Sequence, residues 1–236
     1  TVTELRLFPT QLAANAKILN KVGVNWTMFS DAFEAANLGY VAGDTVALRT
    51  ALKRIVDKAK EQGIKTVVVP ETGHGYQVLR WLGPNTMGEP HPFEVLSIIE
   101  FIAREQSAGS LTLKQQPNGT SVSYQDPCRM SRKGGILEEP RNILKSMGFE
   151  VRETEAHGRE DYCCGGGCGE YVLSTGSALR HKVFNLKRHQ FEDAGADKVV
   201  TACASCRYNL LIGAKKAEWD TPIASLVETV AANLAD

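Results

Sequence analysis

Six cysteines form the most distinctive chemical pattern in the sequence, and all of them fall between residues 128 and 206. Five follow a regular arrangement of a single cysteine, an adjacent pair and a C-X-X-C motif, formed by Cys128, Cys163, Cys164, Cys203 and Cys206. Thiolates are soft ligands that bind iron–sulfur clusters, zinc or copper. Disulfides explain the pattern poorly, because cysteines this close together close no useful loop. The pattern therefore predicts a metal site in a protein of a reducing compartment.

The residues next to the cysteines also suit a bound anionic group. Gly165-Gly166-Gly167 directly follows the cysteine pair. Glycine lets the backbone come close to a bound group and point its N–H groups at sulfur. A helix that begins after Cys203 would add partial positive charge, which lowers the pKa of a thiol and stabilises an anionic cluster.

Composition and charge exclude several classes of function. The 236 residues are 43% hydrophobic and 23% charged, as in ordinary globular proteins. Lysine plus arginine equals aspartate plus glutamate at 27 each, which predicts no binding of nucleic acid or of an anionic membrane. No apolar run approaches the roughly 20 residues that span a bilayer. The chain begins at Thr1, without Met or a signal-peptide pattern, so we expect a fragment whose upstream domain is missing.

Helical and strand patterns alternate along the chain, which predicts an α/β fold with short parallel sheets flanked by helices. Predicted helices are Thr10–Val22, Thr45–Gln62, Gly75–Leu82, Phe93–Glu105, Leu137–Met147, Thr175–Asp193, Cys206–Lys216 and Leu226–Leu234. Predicted strands are Val24–Phe29, Lys65–Val69, Val122–Tyr124, Phe149–Arg152 and Lys198–Thr201. The cysteines follow predicted strand ends or turns into helices, and such turns converge at one edge of a parallel sheet. We therefore expect the distant cysteines to meet.

The two halves of the chain resemble a diverged repeat of Rossmann-like units. The stretch from Lys65 to Leu79 parallels the one from Lys198 to Leu211. Asn37-Leu38-Gly39 falls where Cys163-Cys164-Gly165 falls, and Ser97 to Glu100 matches Ser225 to Glu228. We predict a degenerate repeat without cysteines over residues 1–110 and a repeat with the five-cysteine site over residues 120–236, joined by a polar linker.

These motifs resemble a named family. Asp126-Pro127-Cys128, Cys163 to Gly167 and Cys203-Ala204-Ser205-Cys206 resemble the cysteine-rich CCG domain of heterodisulfide reductases. Members usually carry two such repeats, whereas the first half here has Asn37-Leu38 in place of the cysteine pair, and Glu71 and His74 in place of C-X-X-C. That one-sided arrangement is similar to subunits of the HdrD type, and the stretch from Glu71 to His74 is similar to the DsrK type of dissimilatory sulfur metabolism.

The resemblance implies an iron–sulfur subunit of a thiol/disulfide oxidoreductase. It implies a non-cubane [4Fe-4S] cluster bound by all five cysteines, namely Cys128, Cys163, Cys164, Cys203 and Cys206, with Cys163 and Cys164 as catalytic residues. A small-molecule or protein thiol or disulfide would be converted in two one-electron steps. The implied partners are an upstream ferredoxin-like domain or subunit and a quinone-linked membrane subunit. The implied location is cytoplasmic, at the membrane periphery through that partner.

Other interpretations of the cysteines remain open. The domain could act purely as an electron relay in a complex that oxidises lactate, glycerol-3-phosphate or succinate. Four thiolates could also hold a structural zinc ion, which would make this a zinc-stapled domain. A redox C-X-X-C motif acting alone would leave three cysteines unexplained.

For four further features, a structural interpretation stands beside any functional one. Cys168 is interpreted as a small core residue, with disulfide exchange as its functional alternative. His74 is either a structural histidine or a group that faces substrate or donates a proton. Glu71 is interpreted as a surface or capping acid. The basic stretch from Arg180 to His189 is interpreted as a solvated helix face, with partner docking as the alternative.

Overall fold

The computed structural model of the protein describes residues 1–116, 119–167 and 173–235. Helices and short strands alternate along these segments. The described α-helices are α1 Val2–Leu7, α2 Pro9–Val22, α3 Thr45–Glu61, α4 Gly73–Gln77, α5 Gly83–Met87, α6 Ile98–Ser107, α7 Glu138–Ser146, α8 Ser177–Ala194, α9 Ala204–Lys216 and α10 Leu226–Ala232. The described strands are β1 Thr66–Val69, β2 Glu94–Ser97, β3 Ser121–Gln125, β4 Glu150–Val151, β5 Lys198–Thr201 and β6 Ile223–Ser225. This order confirms the predicted α/β class.

The strands form two parallel sheets. Strands β1 and β2 pair alone, and the other sheet has the order β4-β3-β5-β6. Every pair within this larger sheet is also parallel. Because the strands run the same way, the carboxyl ends of neighbouring strands lie at one edge of each sheet. Glu71, Asp126 and Cys203 follow β1, β3 and β5 at these edges.

One of the hydrophobic clusters among the described residues reaches both sheets. It contains Ile18 and Ile98 from the first half of the chain, and Val122, Val200 and Leu226 from the second, all fully buried. Helix α2 packs against α10, and α6 packs against α7. Because burial of apolar surface is the main stabilising term in folding, the shared core couples the two halves.

Helix α3 begins at Thr45, as the sequence predicts, and ends at Glu61, one residue before the predicted end. Asp44 Oδ1 accepts hydrogen bonds from the backbone N–H groups of Val46 at 3.0 Å and Ala47 at 2.9 Å. These bonds satisfy two of the donors that a helix leaves free at its N-terminus. The buried positions Leu48 and Leu52 begin an apolar stripe that continues along one face of the helix.

The segment Val24–Phe29 was predicted as a strand, and this prediction is wrong. In the structure it is irregular, and Trp26 Nε1 donates to Asn20 Oδ1 at 2.8 Å. A strand requires a neighbour to pair with, and within the described residues this segment pairs with none. Its alternating apolar residues instead leave Trp26 and Met28 partly exposed.

The first residues of the predicted helix Phe93–Glu105 form strand β2 instead. Glu94–Ser97 pairs with Thr66–Val69, and the helix begins only at Ile98. The boundary has a physical cause, because Ser97 and Glu100 form a capping box: the Glu100 N–H donates to Ser97 Oγ at 3.1 Å and the Ser97 N–H donates to Glu100 Oε2 at 2.8 Å.

Helix α8 carries the basic stretch, and its residues differ in environment. Lys182 and His189 are exposed, in line with a solvated face. For Lys187 that interpretation is wrong, because its side chain is fully buried and forms an ion pair with Asp161.

Among the helices of the described segments, none has the length and apolar character needed to cross a membrane.

We predict that Asp44→Ala destabilises the protein by about 0.5–2 kcal/mol, because two N–H groups at the start of α3 lose their acceptor. Asp57→Ala on the same helix is the matched control. It removes only an exposed pair with Lys53, whose contribution is about 0.3–0.5 kcal/mol. Urea denaturation of both variants measures the difference, and equal midpoints would contradict the assigned cap.

Candidate functional site

Five cysteines from separate parts of the chain line one pocket. Cys128 follows β3, and Cys163 and Cys164 lie in the loop that precedes α8. Cys203 is the N-cap residue of α9, and Cys206 lies in its first turn. The pocket is open on one side, and the space there that protein atoms leave empty is about 300 Å³, open solvent included. The structure therefore brings together all of the cysteines that the spacing singled out.

The five thiols differ in exposure. Cys164, Cys203 and Cys206 are 3–5% exposed and pack with apolar side chains such as Phe184 and Leu210. Cys128 and Cys163 are half-buried. All five are free thiols in the structure. The pocket therefore has a dry inner wall and an outer side that solvent or a ligand reaches.

The cysteine thiols hydrogen-bond to one another, and these bonds lower the pKa of some cysteines and raise the pKa of others. Thiol hydrogen bonds from Cys128 and then Cys164 lower the pKa of Cys163 to about 2, with help from the Gly165 and Gly167 N–H groups. A hydrogen bond from Cys206 likewise lowers the pKa of Cys203 to about 7. The same contacts raise the pKa values of the donors, Cys128, Cys164 and Cys206. The pocket thus stabilises the thiolate, the form that binds metal, at Cys163 and Cys203, and disfavours it at the other three cysteines.

Glycines allow the backbone to approach the pocket. The Gly165 N–H donates to Cys163 Sγ at 3.4 Å, and Gly165 has φ +83°, a left-handed conformation that favours glycine. A Cβ on Gly73 would lie 3.0 Å from Arg129 Cβ, and the Gly73 N–H group faces Cys203. Backbone N–H groups aimed at sulfur stabilise thiolates and cluster sulfides.

A buried ion network, which sequence reasoning missed, holds the loop that leads to Cys128. Arg141 donates from Nη1 and Nη2 to the two carboxyl oxygens of Asp126 at 2.9 and 2.8 Å. It also donates from Nε to Glu153 Oε1 at 2.6 Å. The Gly158 N–H donates to Asp126 Oδ2 at 2.8 Å. Bidentate pairing of this kind fixes geometry, and here it fixes the residue two positions before Cys128.

A second buried pair, also missed, lies behind the cysteine pair. Lys187 Nζ donates to Asp161 Oδ1, and both side chains are at most 3% exposed. Gln125 at the end of β3 donates to Asp161 Oδ2 at 3.2 Å and accepts from Thr201 Oγ1 at 2.7 Å. Burial raises the pKa of Asp161 to about 6, against the attraction of Lys187. This chain of contacts ties the loop before Cys163 to the sheet.

Glu71 is a capping acid, as one interpretation held, but it is not on the surface. Its side chain is fully buried. Glu71 Oε2 accepts from Gln11 Nε2 at 2.7 Å and from Ser225 Oγ at 2.6 Å, and Oε1 accepts from the Val227 N–H at 2.9 Å. Burial nevertheless raises its pKa to about 8. Its backbone oxygen accepts from the Ala204 N–H at 2.7 Å, at the start of α9.

His74 and Arg129 also line the cysteine pocket. Burial lowers the pKa of His74, and the charge of Arg129 lowers it further. The imidazole lies 5.8 Å from the Tyr40 ring, measured between centroids. His74 therefore faces the pocket as a neutral hydrogen-bonding group.

The sixth cysteine, Cys168, lies outside the described residues, so its two interpretations stay predictions.

Within the described part of the chain, no three His, Cys, Asp or Glu side chains are arranged around one point as the ligands of a single metal ion. An iron–sulfur cluster differs from such a site, because each iron takes its own cysteine ligand.

Comparison with known proteins identifies the cysteine region. Residues 122–211 match the model of the CCG cysteine-rich domain, a range that contains all five pocket cysteines. The match covers the chain from β3 to the middle of α9.

Relatives extend over most of the chain. It is 28% identical over 92% of its length to the HdrD-type subunit of the dihydromethanophenazine:CoB–CoM heterodisulfide reductase of Methanosarcina mazei, covering 54% of that protein. It is 26% identical over 87% of its length to EtfAB:quinone oxidoreductase of Syntrophomonas wolfei, covering 29% of that protein. It is 26% identical over 83% of its length to a protein of Chromohalobacter salexigens described as a membrane-anchored ferredoxin, covering 29% of it. The chain thus spans about half of these relatives or less.

We predict that Glu71→Gln changes the pH dependence of stability. The carboxyl group titrates near pH 4.5 when unfolded and near 8 when folded, so the folded state holds a proton that the unfolded state has released. The protonated Glu71 therefore contributes its full share to the free energy of unfolding below pH 4.5. As the pH rises toward 8 this share is lost, by up to about 1.4 kcal/mol per pH unit. Urea denaturation under anaerobic conditions from pH 5 to 8 should show a flatter curve for the variant.

The matched control is Glu61→Gln, which removes a carboxyl group that is 70% exposed. It should leave the wild-type slope unchanged. Parallel curves for wild type and Glu71→Gln would contradict the assigned titration of Glu71.

We predict that Lys187→Met destabilises the protein by about 3–5 kcal/mol, because Asp161 is left as a buried, unpaired charge. Met keeps apolar contact with the Phe191 ring, which lies 5.0 Å from Lys187 Nζ. Adding Asp161→Asn should restore much of the stability. A double variant as unstable in urea as the single one would show that packing, rather than charge, is what Lys187 supplies.

Proposed function

We propose that this chain, a homologue of HdrD-type heterodisulfide reductase subunits with a CCG cysteine-rich domain over residues 122–211, is an iron–sulfur electron-transfer subunit that acts on a thiol or disulfide. One observation carries the proposal: five free cysteines from distant segments line one pocket. The proposed ligands are Cys128, Cys163, Cys164, Cys203 and Cys206.

The pocket suits an iron–sulfur cluster in three respects. Its donors are all sulfur, which iron–sulfur clusters prefer. Backbone N–H groups of Gly165 and Gly73 face cysteine sulfur atoms. The inner wall is apolar around Phe184, which strengthens electrostatic contacts in the pocket. A bound cluster would supply reversible one-electron transfer; that it is a non-cubane [4Fe-4S] form remains part of the proposal.

The exposed side of the pocket is where a sulfur substrate would approach. Cys128 and Cys163 lie on that side and are proposed to face the substrate. The catalytic role is proposed for Cys163 and for Cys164, which lies next to it on the inner wall. Reduction of a disulfide to two thiols takes two electrons and two protons. A ferredoxin-like domain or subunit is the proposed electron donor. Arg129 adds positive charge at the pocket, which favours an anionic cluster or substrate.

The partners are proposed from the relatives' descriptions. Those descriptions include a heterodisulfide reductase subunit, a quinone oxidoreductase and a membrane-anchored ferredoxin. By analogy we infer that this chain works beside a quinone-linked subunit and lies at the membrane periphery. A role in dissimilatory sulfur metabolism stays a prediction, as does the DsrK-like assignment.

A second candidate function is a pure electron relay. The likeness to EtfAB:quinone oxidoreductase and to the membrane-anchored ferredoxin favours it, because neither description names a sulfur substrate. In that case the cluster would pass electrons between partner subunits. The two functions differ in one property, which is whether a disulfide changes the state of the cluster.

The two-repeat organisation is proposed on a shared order of elements. Strand β1 is followed by helices, by the parallel strand β2 and by α6, and β5 is followed by α9, β6 and α10 in the same way. Ser97 and Ser225 each cap the closing helix and accept from the N–H of Glu100 and Glu228. This likeness supports a degenerate first repeat over residues 1–110 and a cysteine-bearing second repeat over residues 120–236.

Cys163→Ser tests the function. We expect about four iron and four sulfide per chain in wild type purified without oxygen, and loss of most of both in the variant, because a central ligand is removed. Cys168→Ser is the matched control, since Cys168 lies outside the five-cysteine pattern, and it should keep the full iron content. Iron, sulfide and zinc analysis with electron paramagnetic resonance measures the outcome.

The spectra separate the candidates. A wild-type signal that appears on addition of a disulfide supports the sulfur substrate, whereas a redox-active cluster without that response supports the relay. One zinc per chain without iron overturns both and leaves a zinc-stapled domain. Iron loss in Cys168→Ser would show that the ligand set is wrong.

A further inference from the structure

The first half of the chain forms one side of the cysteine pocket. Gly73 and His74, the first two residues of α4, line the pocket together with the five cysteines of the second half. A backbone bond fixes their place, because the Ala204 N–H at the start of α9 donates to the oxygen of Glu71 at 2.7 Å. The start of α4 is therefore held against the helix that carries the C-X-X-C motif.

His74 has an unused hydrogen-bonding atom at this position. Its Nε2 is buried and has no hydrogen-bond partner among the residues that the structure describes. Nearly all buried polar atoms in proteins have a partner, so an unpaired one indicates a bound group or a bound water. Burial and the charge of Arg129 lower the pKa of His74, and a neutral imidazole carries one N–H group that donates.

The His74 ring lies between the cysteine pocket and a smaller space. That space has room for about one water molecule and is lined by polar residues such as Asn37 and Thr72. His74 and Ser205 line both the small space and the cysteine pocket. The imidazole therefore reaches a group in the cysteine pocket directly or through a single water.

A hydrogen-bond donor at this place affects the energy of an added electron. A cluster that gains an electron gains negative charge, and N–H groups near its sulfur atoms stabilise that charge and raise its reduction potential. The Gly73 N–H already faces the sulfur of Cys203. Because the inner wall around Phe184 is apolar, each donor in the pocket has a larger electrostatic effect than it would have in water.

We infer that His74 donates a hydrogen bond to a sulfur atom of the bound cluster, directly or through one water, and thereby raises the reduction potential of that cluster. This inference rests on the proposed function, and it assigns to the first half of the chain a part in electron transfer. His74 is not a metal ligand in this arrangement. It keeps its proton in both oxidation states of the cluster, so only an electron is gained or lost.

The test measures the midpoint potential of the cluster in the full chain, purified without oxygen and titrated under electron paramagnetic resonance. His74→Phe keeps an aromatic ring and removes both nitrogen atoms. One hydrogen bond contributes roughly 3–10-fold to an equilibrium, so we expect the potential to fall by about 30–60 mV, at 59 mV per tenfold for one electron.

Two further variants accompany His74→Phe. His74→Gln keeps a side-chain N–H donor and should restore at least half of the lost potential. His189→Ala, at an exposed position on α8, is the matched control and should keep the wild-type potential. Iron and sulfide content shows that each variant is folded and loaded.

A second measurement detects the hydrogen bond itself. Electron–nuclear double resonance spectra in H2O and D2O, on protein labelled with 15N-histidine, should show an exchangeable proton near the wild-type cluster that is missing in His74→Phe. The same proton should remain in His189→Ala. Equal proton spectra for wild type and His74→Phe contradict the inference, and so does a strong nitrogen coupling, since it marks a coordinated imidazole.

The outcomes separate the inference from the function on which it rests. An unchanged potential in His74→Phe at full iron content overturns the role of His74 while the proposed function stands. Loss of most iron from both His74→Phe and His74→Gln also overturns it, because His74 would then hold the metal itself. Wild-type protein without iron and sulfide overturns the proposed function and the inference together.

Discussion

Glu71 joins the two halves of the molecule through both its side chain and its backbone. The carboxyl group accepts hydrogen bonds from Gln11 on α2 and from Ser225 and Val227 at the start of α10. The backbone oxygen accepts from the Ala204 N–H, which opens the helix next to Cys203. Because the residue is fully buried, no water can replace these bonds. Glu71 therefore helps to fix the position of the first sheet relative to the C-X-X-C helix, in addition to the shared core.

A second constraint acts on the cysteine pocket, because thiolate charge has to be held there in a space from which water is partly excluded. Each charge must be compensated there by a donor or a cation, since the low dielectric penalises bare ions. Thiol protons and glycine N–H groups supply part of the compensation around Cys163. The loops that carry the cysteines are held by separate buried pairs, Asp126 with Arg141 and Asp161 with Lys187. The chemistry of the pocket and the anchoring of its loops are thus assigned to different residues.

The cysteine spacing and the α/β alternation are readable from the sequence, because both are local patterns of residue type. The features that the sequence does not predict depend on contacts between distant parts of the chain. Glu94–Ser97 became a strand because β1 lies beside it, and Val24–Phe29 has no such neighbour among the described strands. Lys187 resembles any exposed helical lysine until Asp161 is seen beside it. The burial of Glu71 likewise depends on α2 and α10, which lie far away in sequence.

The packing of α2 against α10 has a consequence for how the molecule is made. The bond from Thr10 to Glu228 spans 218 positions in the chain, and that from Ser225 to Glu71 spans 154. Contacts between such distant residues slow folding, because a long loop must close before these contacts form. During synthesis the apolar face of α2 has to wait for α10 to emerge from the ribosome. We therefore expect the pocket to assemble late, so that any cofactor is inserted after translation of both halves.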